Sequence, residues 1–311
     1  MIVYRLLSIL IHGMALIPLP VGRVLGKGLG RLFPILPTSR TSIVLENIRR
    51  AFPGTEWAKN PKKLLRKVYL HFGQMLFEVP HILRMNPANM DRYVLFEGKE
   101  ILERVLAKGK GCFLLTAHFG NWEMMSAAVT LLFPRLAIVV RPIDFAPLDR
   151  LISEIRTRFG TEIIPKRKAM RQVLKAIKEK KNVGILLDQN VDWYEGVFVD
   201  FLGRRACTNK GLARLALKTG APVVPVFSVR QGDGRIKIIF EPELTPIKSG
   251  DKTRDVEEAT IRFTKVIENY IRKHPDHWFW FHRRWKTRPY CRIPESKGYS
   301  TFPPARGMGG G

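Results

Sequence analysis

One hexapeptide in this 311-residue chain carries the groups that proton transfer needs: His118, Phe119, Gly120, Asn121, Trp122 and Glu123. An imidazole near a carboxylate can act as a general base on an alcohol or amine, provided the carboxylate fixes the ring tautomer and stabilises the imidazolium that forms. An HxxxxE spacing is weak on its own, so its setting decides how much it says. The apolar run CFLLTA delivers His118 at its carboxyl end, Gly120 frees the turn, and Glu123 opens the helical pattern NWEMMSAAVTLLF. A purely structural reading of the same residues has His118 capping that helix and Glu123 complementing its dipole.

Further charges fall at similar places. The apolar run VGILL ends in Leu187, Asp188 and Gln189, and a carboxylate after such a run is costly to bury unless it is paired or functional. Asp188 could hold a cation, an acceptor hydroxyl or a nearby arginine, or simply begin a loop as an Asx turn. Arg141 ends the run LAIVVR, and Arg156 lies on PLDRLISEIRTRFG with Arg158 beside it; either could bind a phosphate or an oxyanion. In GVFVDFLGRRACTNKG a glycine turn is followed by Arg204, Arg205, Thr208 and Lys210. If Thr208 caps a helix opening at Asn209, free N–H groups and these cations form a phosphate site, and otherwise the run is solvated charge.

These residues need elements to position them, and from Tyr93 strands and helices alternate. Strand runs VLFEG, CFLLTA, LAIVVR, TEIIP, VGILLDQ, APVVPVFSVR and IKIIFEP are interleaved with helical runs. That alternation predicts an α/β fold with a mixed, largely parallel sheet flanked by helices, with sites at the strands' carboxyl ends. We divide the chain into an N-terminal membrane-associated helical segment over 1–36, a helical segment over 37–92, an α/β core over 93–293 and a disordered Pro/Gly-rich tail over 294–311. Within 1–36 the uncharged run from Leu6 to Gly22 is shorter than a spanning helix needs and is interrupted by Pro18 and Pro20. The cations Arg23, Lys27 and Arg31 share a face opposite Val24, Leu25 and Leu32, so the segment reads as an interfacial helix, alone or after a short insertion. Cations on the carboxyl side of the run would keep the body cytoplasmic.

The chain carries 53 Lys and Arg against 27 Asp and Glu, a net charge of +26, with 45% apolar residues. That much apolar sequence excludes bulk disorder, and the surplus charge favours acidic partners: a phospholipid face, an acidic carrier protein, phosphorylated substrates or nucleic acid. Cys112, Cys207 and Cys291 lie far apart, which suggests neither a zinc ribbon nor a disulfide framework. No GxSxG elbow, Walker loop, GxGxxG or HExxH is present, so the hydrolase, kinase and dehydrogenase readings lack their chemistry. The competing class is a basic membrane-associated or nucleic-acid-binding protein without catalysis, in which the aromatic and basic run from Trp278 to Trp285 stacks bases; the other reading has those aromatics pack on the sheet or dip into the interface.

Taken together, TAHFGNWE, VVRP, the RTRFG helix, LLDQN, FLGRRA with TNKGLARLALKTGAPVVPVF, the early ENIRRAFP and the terminal WFWFHRRWKTRP resemble the lipid A biosynthesis acyltransferases, a branch of the HxxxxD/E acyltransferases. The similarity runs from about Tyr4 to Pro289 in the family's order. It implies an inner-membrane enzyme on the cytoplasmic face that moves a fatty acyl chain from acyl carrier protein, or acyl-CoA, to a hydroxyl of a lipid A precursor or related glycolipid. The resemblance makes His118 the base, Glu123 its partner acid and Asp188 a required acidic residue, with Arg156, or else Arg158, as the family's arginine. It implies no cofactor and no metal, and with it no nucleic-acid partner is expected. Direct transfer without an acyl-enzyme is expected, because no serine or cysteine accompanies the histidine in the motif.

Overall fold

The computed structural model describes residues 2–35, 38–167 and 169–289. The expected tail over 294–311, and Cys291 with it, lie outside the described residues. The first helices are α1 (Ile2–Leu16) and α2 (Leu19–Leu32), followed by α3 (Ser39–Ala51), the short α4 (Glu56–Lys59) and α5 (Pro61–Glu78). The alternating part then runs β1 (Val94–Glu97), α6 (Lys99–Ala107), β2 (Cys112–Thr116), α7 (Trp122–Leu132), β3 (Leu136–Val140), α8 (Ala146–Thr157), β4 (Glu162–Pro165), α9 (Ala169–Lys178) and β5 (Asn182–Leu186). It closes with β6 (Gly196–Phe201), β7 (Arg204–Asn209), α10 (Gly211–Thr219), β8 (Val223–Arg230), β9 (Ile236–Phe240) and α11 (Lys252–Lys273).

Seven strands form one sheet in the order β1-β9-β8-β2-β5-β3-β4, in which only the β8–β9 pairing is antiparallel. The expected mixed, largely parallel sheet is therefore observed. Both faces are covered, which is why the central runs are continuously apolar rather than alternating. Phe113, Leu115 and Val183 point into a core shared with α3, α5, α9, α10 and α11. Leu114, Leu136 and Ile138 point into a second core with α6, α7 and α8.

The stretch expected as a loop before Cys207 is instead a two-stranded antiparallel hairpin of β6 and β7, with Asp200 opposite Arg205. Helix α10 accordingly begins at Gly211, with Asn209 Oδ1 accepting from the Gly211 N–H at 2.7 Å. Thr208 does not cap it, because Thr208 lies buried on β7.

At the amino end, the uncharged run is broken at its prolines into α1 and α2, and among the described residues no helix is long and apolar enough to cross a membrane. Helix α2 packs on α5 through glycines. A Cβ on Gly26 would lie 2.4 Å from the Gly73 carbonyl, and one on Gly30 would lie 2.4 Å from that of Tyr69. With its small residues turned inward, α2 leaves Val21, Val24, Leu25 and Leu32 exposed. Arg23 is not part of a solvated cationic face, for it reaches into the body and pairs with the fully buried Glu78.

Candidate active site

Parallel register builds the site. Thr116 on β2 lies opposite Leu186 on β5, so residues two positions beyond each partner emerge side by side at the carboxyl ends. Those residues are His118 and Asp188, and His118 Nδ1 lies 2.9 Å from Asp188 Oδ1. A carboxylate only accepts, so Nδ1 carries the hydrogen and Nε2 keeps the lone pair a base requires. The second Asp188 oxygen accepts from the Trp278 indole N–H at 2.8 Å. Asp188 is 1% exposed. Burial raises its pKa, but the facing His118 charge, the His118 hydrogen bond and the Trp278 N–H outweigh it and hold the carboxyl below the ordinary aspartate range.

The turn that presents His118 is clamped by the chain's late segment. The Gly120 N–H donates to the His277 carbonyl at 2.9 Å, and the Phe279 N–H donates to that of His118 at 2.9 Å. Gly120 has φ +63°, and a Cβ there would lie 1.9 Å from the Ser228 carbonyl oxygen, so only glycine fits. Asn121 caps α7 by accepting from the Met124 N–H at 3.0 Å, while its own amide donates to Glu78 at 3.0 Å.

Glu123 does not hold the imidazole, which corrects the pairing expected from the hexapeptide. Its oxygens accept from Arg156, with Nε to Oε2 at 2.9 Å and Nη2 to Oε1 alongside, and the Trp122 indole N–H donates to Oε1 at 3.0 Å. The reason is helical geometry: on the first turn of α7 the Glu123 side chain turns toward α8, where Arg156 projects. Burial lowers the Arg156 pKa, but the Glu123 hydrogen bonds and charge more than reverse this. Arg158, the alternative, is exposed and lies over the Phe159 ring.

The remaining candidates sort by position. Arg141 stands at the rim of the cavity beside His118, donating to Asp144 at 2.9 Å. Arg204 lies on the hairpin near Arg50 and Arg288, and burial together with those two charges lowers its pKa. Neither Arg204, Arg205 nor Lys210 lines the cavity, although Asn209 and Gly211 do. The expected phosphate site at the start of α10 is therefore not assembled around the histidine.

Trp278, Asn121 and Glu78 were not singled out by sequence. Trp278 belonged to a run that composition offered as a base-stacking or interfacial surface. Trp278, Trp280 and Arg284 are completely buried and Trp285 nearly so, with the three tryptophans in the core against the sheet, so the packing reading holds and the base-stacking surface does not form. Arg284 donates to the Cys207 carbonyl and to Thr208 Oγ1 and lies over the Phe201 ring. Burial brings its pKa down to about 10.

A cavity of about 820 Å³ opens at His118, with Glu123, Arg156, Asn190 and Arg141 among its polar lining. One part of it runs between the sheet and α7, walled by Leu114, Met125, Val129, Leu136, Ile138 and Val226. Gly184, on the interior strand β5, leaves that wall open where a Cβ would lie 3.2 Å from Ile138.

A carboxylate-oriented imidazole at the mouth of a partly apolar cavity can act as a general base on a substrate with a greasy portion. The chain belongs to the bacterial lipid A biosynthesis acyltransferase family, whose model matches residues 2–287, and it is an acyltransferase. It is 29% identical to the lipid A biosynthesis lauroyltransferase of Escherichia coli strain K12 over 88% of each chain. It is 26% identical to the lipid A biosynthesis palmitoleoyltransferase of the same strain, over 88% of this chain and 87% of that one. A phosphatidylinositol mannoside acyltransferase of Mycolicibacterium smegmatis is 27% identical over 58% of each chain.

Proposed function

We propose that this protein transfers a fatty acyl chain from an acyl carrier protein thioester to a hydroxyl of a lipid A precursor, working at the cytoplasmic face of the inner membrane. The observation that carries the reading is the Trp278–Asp188–His118 chain of hydrogen bonds ending at a cavity that is apolar on the α7 side and polar at its rim.

His118 Nε2 takes the proton of the acceptor hydroxyl as its oxygen attacks the thioester carbonyl. Asp188, ionised, stabilises the imidazolium. Collapse of the tetrahedral intermediate expels the thiolate, which recovers the proton from His118, leaving an ester and a free thiol. Direct transfer fits the described thiols: burial pushes Cys112 up to about 12, far from a nucleophile's range, and Cys207 is likewise buried. Glu123 and Arg156 brace the cavity wall beside the reacting centre rather than the base.

The net charge of +26 supports an acidic carrier protein, a phosphorylated acceptor and an anionic leaflet alike. The exposed apolar faces of α1 and α2 support attachment at the interface rather than across it. The match to a phosphatidylinositol mannoside acyltransferase favours a second reading, in which the acceptor is another phosphorylated glycolipid.

The test is a panel of acyl carrier protein and CoA thioesters of graded length, offered with a Kdo-bearing lipid A precursor and with a phosphatidylinositol mannoside, products being read by mass spectrometry. Addition of one acyl group to the lipid A precursor from the carrier-protein donors is expected, with loss of about 10²-fold or more in His118→Ala. Transfer to the mannoside alone selects the second reading. Full activity of His118→Ala refutes the mechanism.

A further inference from the structure

A second cavity, of about 880 Å³ and sharing no lining residue with the first, sits at the elbow between α1 and α2. Arg23, Arg84, Arg92 and Arg235 line it together with His81, and Asp233 is the one acidic residue in its lining. Asp233 is already engaged by Arg235 at 2.7 Å, and Arg23 Nε by Glu78 at 2.9 Å. Two polar atoms are left over: Arg23 Nη2, a donor, and His81 Nε2 are buried without a hydrogen-bond partner, and His81 is only 4% exposed. Buried polar groups without partners are rare, and a guanidinium is expensive to leave so. Burial and the neighbouring Arg84 and Arg23 lower the His81 pKa, as expected of a ring facing excess positive charge. The amino end of α2 opens here as well, at Pro18, without a side-chain cap, adding the positive end of a helix dipole.

The mouth of this cavity has a second character. Leu16, Pro18, Pro20 and Val21 edge the elbow and are exposed, and Leu10, Val24 and Leu25 continue the apolar surface along both helices. Cations lining the cavity, from the deep Arg23 to the exposed Arg84 and Arg92, and hydrocarbon at its lip match a molecule with a phosphate head and acyl tails.

We propose that the elbow cavity binds the phosphate of an anionic membrane phospholipid, whose tails lie along the exposed faces of α1 and α2. Arg23, Arg84 and Arg92 supply charge-assisted hydrogen bonds, and the bound anion favours protonation of His81, whose Nε2–H then donates to a phosphate oxygen. The site is separate from the acyl-transfer centre and does not depend on the chemistry proposed there.

The test is calorimetric titration of the full chain in mild detergent with dihexanoyl phosphatidic acid, with dihexanoyl phosphatidylcholine and with inorganic phosphate. The wild type is expected to bind one equivalent of the phosphatidic acid, more tightly than either comparison ligand. The single change Arg92→Ala, at an exposed position, and the pair Arg84→Ala with Arg92→Ala are expected to weaken it about tenfold or more, each lost contact to a charged group being worth 1.5 kcal/mol upward. A charge-matched control, Lys62→Ala with Lys63→Ala on the first turn of α5, should bind as the wild type does. Equal weakening in the control means diffuse attraction to a cationic protein and overturns the site. Inorganic phosphate binding as tightly as the lipid overturns the lipid as ligand. If Arg92→Ala raises the KM for the glycolipid acceptor in a detergent-based transfer assay, the cavity is part of the acceptor site and the proposal is overturned. An inactive His118→Ala variant that still binds the phosphatidic acid separates this site from any failure of the transfer mechanism.

Discussion

At the scale of residues, the site divides into two pairs with different work. His118 and Asp188 form the pair that handles the proton in the proposed mechanism, and Glu123 and Arg156 form a nearly buried ion pair beside it. Because Glu123 acts with Arg156, Glu123→Gln and Arg156→Gln should slow transfer to a similar degree, and the double variant should lose little more than either. Initial rates and urea unfolding of the three variants test this, and strictly additive losses would mean the two act separately. Trp278→Phe keeps the ring in the core but removes a donor from Asp188, so kcat should fall about tenfold with KM little changed, the lost bond to a charged acceptor being worth about 1.5–3 kcal/mol.

At the scale of elements, the network around Glu78 ties four of them together. Arg23 of α2, Arg230 of β8 and Asn121 at the start of α7 all converge on its carboxylate at the end of α5. Burial raises the Glu78 pKa, but the two arginines overturn that and leave it depressed. A carboxylate depressed in the folded state stabilises above its unfolded pKa, about 4.3 for Glu, and that contribution is lost as pH falls through the folded value. The melting temperature of the wild type should therefore fall toward that of Glu78→Gln between about pH 5 and pH 2, the gap being widest near neutrality. A constant gap across that range would show that the charge is not what Glu78 contributes. Gly26→Leu drives a side chain into the Gly73 carbonyl. It should detach α2 and make residues 2–32 the first site of proteolysis, with the sheet remaining folded.

The same scale explains what could be read in advance. Strands ending in His118, Arg141 and Asp188 were legible because buried parallel strands are uninterrupted apolar runs with polar ends. That β2 and β5 are neighbours was not, since sheet order is set by long-range packing, and without it the partner of His118 fell to the nearest carboxylate in sequence. The hairpin was missed because RRACTN carries charge where its exposed edge lies, and its inward Ala206 and Cys207 are too short a run to signal a strand. Trp278 carried no local sign of its role, which depends on the chain returning from α11 to the HFGN turn.

For the whole molecule, the surplus positive charge gathers in places outside the cavity at His118. The cluster of Arg204, Arg50 and Arg288 lies off the cavity at His118, and the proposed carrier-protein donor would dock there while its acyl arm reaches inside. Raising ionic strength from about 0.01 M to 0.15 M shortens the screening length from about 30 Å to 8 Å. The KM for carrier-protein donors should rise accordingly, that for CoA thioesters less, and Arg204→Ala should blunt the first effect. Equal salt response for both donors would remove the cluster from donor docking.

The central claim is that Asp188, rather than Glu123, makes His118 a base. It is tested most directly by the single-turnover rate of acyl transfer in Asp188→Asn, measured with saturating donor and acceptor on protein shown to be folded by its melting transition. Asparagine can still accept from Nδ1 but cannot balance an imidazolium, so a fall of about 10²-fold or more is predicted. A rate equal to that of the wild type would contradict the account.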